Sequence, residues 1–165
     1  MTGFISVADC AILLNMPEPV KVLFVCVGNC VRSQMAEAIA RHSASDIIAA
    51  ESAGVHPLGF IDPTARSVLT DRGISMDGQF SKGLHNHTLA SPDLIINMSG
   101  MPGQHLFRGQ AFEDWAVPDP FGECVETHCR ICDDIAARVE ELVARLRTRN
   151  GTGETKVSGA ETGKT

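Results

Sequence analysis

Apolar positions along this chain fall into short continuous runs separated by stretches of helical spacing. Val20-Lys21-Val22-Leu23-Phe24-Val25 is a compact β-prone run, the pattern of a strand buried on both faces. Ser33 to His42 turns helical, with good helix formers and with Met35 and Ile39 four apart. Ile47 to Ala53 reads as a second strand, closed by Gly54. Asp62-Pro63 supplies an N-cap acceptor followed by proline at the first helical position, and predicts a helix through Val68 and Leu69 that stops at Gly73. Asp93 to Met98 forms a third buried strand, and Phe112 to Val117 a weaker fourth that ends at Pro118. In the last helix Ile131, Ile135, Val139, Leu142 and Leu146 share one face, while Arg138, Glu140, Glu141 and Arg145 lie mostly elsewhere.

Strands alternating with helices indicate an α/β fold, a parallel sheet covered on both faces. Two flanks stand outside the pattern. Residues 1–19 read as an N-terminal extension, a short apolar stretch broken by Pro17-Glu18-Pro19. Residues 150–165 are Gly, Thr, Glu and Lys with almost nothing apolar, the composition of a disordered tail. Residues 20–149 are left as one domain, which suits a chain of 165 residues that is 44% hydrophobic.

Fourteen basic against twenty acidic residues give a net charge of −6, which argues against a nucleic-acid-binding module. One small anion is still admissible, because a single site can be locally positive on an acidic protein. No segment approaches the roughly 18 apolar residues of a membrane span. The early run Val7 to Leu14 is interrupted by Asp9, and no Lys or Arg precedes Lys21, so it does not read as a signal peptide. The expected location is the cytoplasm, where six cysteines are expected as thiols rather than disulfides.

Ligands of parallel sheets sit beyond the carboxyl ends of the strands. The segment after the first strand is Cys26-Val27-Gly28-Asn29-Cys30-Val31-Arg32-Ser33. A loop turning into a helix N-terminus points backbone N–H groups inward, and the helix dipole adds positive potential: a cradle for an oxyanion. Gly28 and Asn29 tolerate the left-handed turns that this needs, and Arg32 can grip two oxygens of a phosphate at once. The same field would draw the Cys26 thiol from about 8.5 into the range of roughly 3.5–7.5, where it is a nucleophile at neutral pH. Ser33 can donate its hydroxyl to that thiolate. The expected chemistry is attack on phosphorus with a thiol-phosphate intermediate. Asp119, held between Pro118 and Pro120 after the fourth strand, is the candidate acid for the leaving group.

Other residues carry weaker signals. Cys30 lies in the cradle, where oxidation would join it to Cys26 unless its side chain turns away. Cys124, His128, Cys129 and Cys132 are packed into nine positions with no distant second pair. They read as helix-packing thiols rather than zinc ligands, although Cys129 and Cys132 have dithiol spacing. His85 and His87 read as solvated, His42 as a residue compatible with a helix C-terminus, and Cys10 as a buried or partner-facing thiol.

Val22 to Asn29, Arg32-Ser33 and Met35-Ala36-Glu37-Ala38 together resemble the low-molecular-weight protein tyrosine phosphatases. Ser52-Ala53-Gly54, Gly73-Ile74 and Asp119-Pro120 follow in the family's order, so that the likeness spans about residues 20–148. It implies a four-stranded parallel sheet flanked by helices in a three-layer sandwich, with 20–149 as the phosphatase domain. It also implies Cys26 as nucleophile, Arg32 as phosphate clamp, Asp119 as acid then base, and Ser33 and Asn29 as organisers of the loop. The substrate would meet the loop residues Val27, Gly28, Asn29, Cys30, Val31 and Ser33, with Phe121 stacking on its ring. No metal or organic cofactor is implied. The implied substrate is a phosphotyrosine protein or a small phosphomonoester, and inorganic phosphate would occupy the same loop.

Three departures qualify the likeness. The second loop cysteine stands at Cys30 instead of directly before the arginine, at Val31. Gln34 follows Arg32-Ser33 where the phosphatases have proline, which is closer to the related thioredoxin-coupled arsenate reductases. The chain has no tyrosine, so the usual aromatic wall is replaced by Phe121-Gly122. Arsenate mimics phosphate, which makes arsenate reduction the alternative function. Those reductases, however, use a redox cysteine pair just after the third strand, and Ser99 to Phe107 contains no cysteine.

Overall fold

A computed structural model describes residues 18–86 and 91–151. The remainder of the extension, Thr88 and its neighbours, His87 and the tail beyond Gly151 lie outside the described residues, and Cys10 with them. The chain runs β1 (Val20–Cys26), α1 (Arg32–Ala44), β2 (Ile48–Gly54), α2 (Pro63–Asp71), β3 (Leu94–Asn97), α3 (Gly103–Leu106), β4 (Phe112–Asp114) and α4 (Val125–Gly151). The four strands form one sheet in the order β2-β1-β3-β4, with every neighbouring pair parallel. The expected α/β sandwich with a four-stranded parallel sheet is the observed fold.

The alternation of β1 divides the core in two. Val22, Phe24 and Cys26 face a large cluster that includes Met35 and Ile39 of α1, Val68 and Leu69 of α2, and Ile135, Val139 and Leu142 of α4. Leu23 and Val25 face a smaller cluster with Ile95 and Phe107, backed by Leu84, Leu106 and Phe112. Helices lie on both faces but unequally: three long ones cover the first, and the single turn of α3 with adjoining loop covers the second.

Local chemistry sets most element ends. Asp62 caps α2, its Oδ1 accepting from Thr64 N at 2.8 Å and Ala65 N at 3.0 Å, with Pro63 behind it. One element ends short of its predicted bound. The fourth strand was expected to reach Val117, but pairing stops at Asp114. Trp115 N still donates to Asn97 O at 2.8 Å, and the chain then folds on itself through Val117 N and Trp115 O, turning toward Pro118. The last helix begins at Val125, six residues before Ile131, the first position of its apolar face.

Ile135 is fully buried where α4 meets the sheet-facing core. Ile135→Ala should cost about 2–5 kcal/mol of stability through lost burial and the cavity left behind. Urea unfolding checks this, and a change below about 1 kcal/mol would contradict the packing described.

Candidate active site

β1 ends at Cys26, and the chain then turns through Val27 to Val31 before entering α1. The turn is held from outside by its own carbonyls. Val55 N donates to Cys26 O at 3.0 Å, His56 N to Val27 O at 2.8 Å, Leu58 N to Gly28 O at 2.9 Å and Asp62 N to Cys30 O at 3.0 Å. Gln34 Nε2 donates to Asn29 O at 3.1 Å, and Met35 N to Val31 O at 2.8 Å. A turn whose carbonyls point outward presents its N–H groups to its interior, which is where an anion binds. The N-terminus of α1 adds to this: Val31 makes no side-chain cap, and the first turn contains no acidic residue. Its free N–H groups and the positive end of its dipole therefore remain available to a ligand.

Asn29 locks the turn. It adopts φ 46°, in the left-handed region that asparagine tolerates better than most residues, and is fully buried. Its Oδ1 accepts from Lys82 N at 2.8 Å and from Gln34 Nε2 at 3.0 Å, which fixes the amide's orientation. Nδ2 must then face the serines, donating to Ser33 Oγ at 2.8 Å and to Ser52 Oγ at 2.9 Å. Ser33 Oγ accepts from Asn29 and keeps its own proton, which it can donate to Cys26 Sγ, 3.0 Å away. Ser52 in turn donates to Glu37 Oε2 at 2.5 Å.

Glu37 is buried in the middle of α1, with Arg41 NH2 at 2.6 Å and Lys82 Nζ at 3.8 Å. Burial raises its carboxyl above the ordinary range, opposed by the Ser52 hydrogen bond and by the charges of Lys82 and Arg41. Sequence reasoning gave no role to Ser52, Glu37 or Lys82. The legible signal was a carboxylate four residues after Ser33, on the side of α1 that the fold buries.

Arg32 is 5% exposed. Its NH1 donates to Met98 O at 2.6 Å and Val117 O at 3.1 Å, so the ends of β3 and of the segment after β4 pin the guanidinium from behind. NH2 pairs with Asp119 Oδ2 at 2.6 Å, and the buried Nε has no partner among the described residues. An orphaned, buried N–H donor on a pinned guanidinium is costly unless an anion completes it. Asp119 is half exposed, and its Oδ1 accepts from Phe121 N at 3.2 Å. Cys26, Asn29, Arg32, Ser33 and Asp119 thus meet at the carboxyl end of the sheet. Phe121 stands at the rim, exposed, with its ring centroid 6.3 Å from that of Phe60. Leu58, also exposed, packs against Gly28, its side chain 3.1 Å from where a Cβ there would stand.

Cys30 is buried in the loop, and its thiol is pushed up to about 11. Burial is the main cause, followed by the charges of Cys26, Asp119 and Asp62, with Arg32 opposing. The cysteines of α4 are not gathered into a metal site: no group of three or more His, Cys, Asp or Glu among the described residues is arranged to hold an ion. His128 is buried, with Nδ1 3.1 Å from Cys124 O and Nε2 3.5 Å from Asp62 Oδ1. His85 is exposed, and His42 lies in the last turn of α1. A cavity of about 670 Å³ opens at the amino end of the sheet, lined by Val20, Leu94, Leu142, Leu146 and Arg145, far from any of this chemistry. No helix among the described residues is long and apolar enough to cross a membrane.

Together these parts form a cradle with room for a small oxyanion beside a sulfur atom, the arrangement of cysteine-based oxyanion chemistry. The profile described as low molecular weight phosphotyrosine protein phosphatase matches residues 21–151, and the chain belongs to that family. A glutaredoxin arsenate reductase from Synechocystis sp. is 33% identical over 130 residues, covering 76% of this chain and 98% of that protein. Among solved structures, an arsenate reductase in the phosphate binding state superposes with a TM-score of 0.70 at 33% identity, covering 77% of this chain and 98% of the other. A low molecular weight protein tyrosine phosphatase from T. tengcongensis gives 0.67 at 26% identity, over 76% of this chain and 99% of its own.

The geometry makes two predictions. A Cβ on Gly54 would sit 2.8 Å from Val27 O and 2.9 Å from Asn29 N, so Gly54→Ala must push the loop aside. Catalytic turnover should fall on the order of 100-fold with the fold retained by circular dichroism; unchanged turnover would mean that the loop is not held as described. In a Cys26→Ser background, alkylation of Cys30 should quicken with every step of pH through about pH 9 and beyond. A plateau below that point would contradict its raised thiol.

Proposed function

We propose that the protein is an arsenate reductase built on the family's oxyanion loop, with Cys26 as nucleophile. The observation that carries this reading is the 33% identity to an arsenate reductase over 98% of that protein's length, together with a loop whose buried Arg32 Nε lacks a partner. Gln34 supports it: where a proline would only end the loop, this glutamine is fully buried and joins Asn29 to Phe80 O through Nε2.

In this reading arsenate lies in the cradle, and the Cys26 sulfur bonds to arsenic as an oxygen leaves, protonated by Asp119. Arg32 and the loop N–H groups hold the remaining oxygens. A second thiol then attacks the Cys26 sulfur. The sulfur–arsenic bond breaks, its electron pair stays on arsenic, and arsenite departs as the two sulfurs become a disulfide. The second thiol comes from a small-molecule monothiol outside the chain. Cys30 is buried and held as a thiol, and no cysteine follows β3 in the stretch where a redox pair would stand.

Hydrolysis of phosphomonoesters is the second reading, favoured by one feature: the exposed Phe60 and Phe121 rings beside Asp119 offer an apolar seat to an ester's leaving group. The same Cys26 and Asp119 would act, with water in place of the second thiol.

Arsenite formation from arsenate with a monothiol, set beside phosphate release from a phosphotyrosine peptide, separates the two. The reductase reading expects thiol-dependent arsenite formation that is abolished in Cys26→Ser and retained in Cys30→Ser. Robust phosphate release with no arsenite formed would replace it with the phosphatase reading.

A further inference from the structure

α4 carries a pair of thiols that the oxyanion site does not use. Cys129 and Cys132 are three residues apart on the helix, so their side chains leave successive turns on one face. Both are free. Cys132 is buried in the large core cluster, and Cys129 is partly exposed and packs against that cluster. The pair therefore straddles the boundary between core and solvent. Arg72, just past α2, lies across it. Its NH1 is 3.9 Å from Cys129 Sγ, and its NH2 lies 3.4 Å from Cys129 O and 2.7 Å from Asp133 Oδ1. Burial raises the Cys132 thiol, Arg72 opposes that rise, and Asp133 and Cys129 add to it.

Spacing decides what such a pair can do. Helix positions three apart hold their Cβ atoms about 5–6 Å from each other. An unstrained disulfide wants roughly 3.5–4.5 Å, so a direct S–S bond would strain the helix. An atom that bridges two sulfurs fits the wider gap. A tetrahedral zinc site needs four ligands, and among the described residues no cluster of even three candidates is arranged for a metal. The remaining class is a soft centre satisfied by two thiolates plus a group of its own.

We propose that Cys129 and Cys132 form a dithiol site for trivalent arsenic. Arsenous acid and the two thiols give a bridged dithioarsenite that keeps one hydroxyl. Two As–O bonds break and two As–S bonds form, the thiol protons leave in two molecules of water, and no atom changes oxidation state. Arg72 places a cation 3.9 Å from Cys129 Sγ, the partly exposed sulfur at which the exchange begins. That arsenite is the ligand met in the cell rests on the reductase reading, of which it is the product; the dithiol chemistry itself does not.

The test uses phenylarsine oxide, which offers arsenic two exchangeable positions, on a Cys26→Ser/Cys30→Ser variant of the full chain. Native mass spectrometry should show a single bridged adduct, and titration should show affinity falling at least about tenfold in Cys129→Ala and in Cys132→Ala. Cys129 is partly exposed, so its replacement keeps the fold if the buried position does not tolerate change. No adduct in the double variant, or an adduct undiminished by Cys129→Ala, overturns the proposal. Arsenate turnover by the otherwise wild-type chain is measured in parallel. Its absence with the adduct intact removes the reductase reading and leaves the dithiol site standing.

Discussion

The site depends on one buried amide. Asn29 occupies a left-handed position at the tip of the loop after β1, and every polar atom of its side chain is used. Its two serine contacts reach α1 and β2, and its oxygen is held by α1 and by the segment at Lys82. Three pieces of chain, two of them distant in sequence, thus converge on one group, and a buried amide left half satisfied would cost more than its bonds return. Asn29 holds the Ser33 hydroxyl in place, within 3.0 Å of Cys26 Sγ and able to donate to it. Behind Ser52 the chain of hydrogen bonds ends on Glu37, itself balanced by Arg41 and Lys82. The loop is held from outside through its carbonyls, and its interior is receptive because that support leaves its N–H groups free to face an anion.

Reduction and hydrolysis share all of this. Both need a tetrahedral anion seated on N–H groups, a guanidinium over its oxygens and a sulfur beneath its central atom. They part only after the sulfur bond has formed: water attacking phosphorus regenerates the thiol, whereas a second thiol attacking sulfur leaves the electron pair on arsenic. The difference lies in what can approach the loop, and the loop itself is silent on it. The rim of Leu58, Phe60 and Phe121 is apolar and open, a surface that admits more than one second reactant.

Short-range chemistry was legible in the sequence. The strand-end cysteine, the loop after it, Asp62-Pro63 as a helix start and the apolar face of the last helix are patterns written within a few residues, and each stands where its pattern put it. Asp119 was legible because two prolines and the order of the strands placed it on the same sheet edge. Ser52, Glu37 and Lys82 were not, because their roles come from pairing across 15 to 53 residues: β2 brings Ser52 beside Asn29, and the strap at Lys82 closes from elsewhere. A glutamate in a helix ordinarily reads as solvated, and only the packing of α1 between the sheet and its neighbours shows that it is not. The fourth strand fell short of its apolar run because tertiary placement turned the chain toward Pro118. Sequence likeness to reductases and phosphatases together also ran ahead of what the loop residues alone could decide.

The central claim is that Cys26 sulfur bonds to the central atom of the bound oxyanion and is then released by a second thiol. Acid-quenched mass spectrometry of the peptide containing Cys26, after incubation with arsenate and a monothiol, reads it most directly. The account predicts Cys26 as a mixed disulfide with that thiol, formed only when arsenate is present. Arsenite accumulating while Cys26 stays unmodified throughout the time course would contradict it.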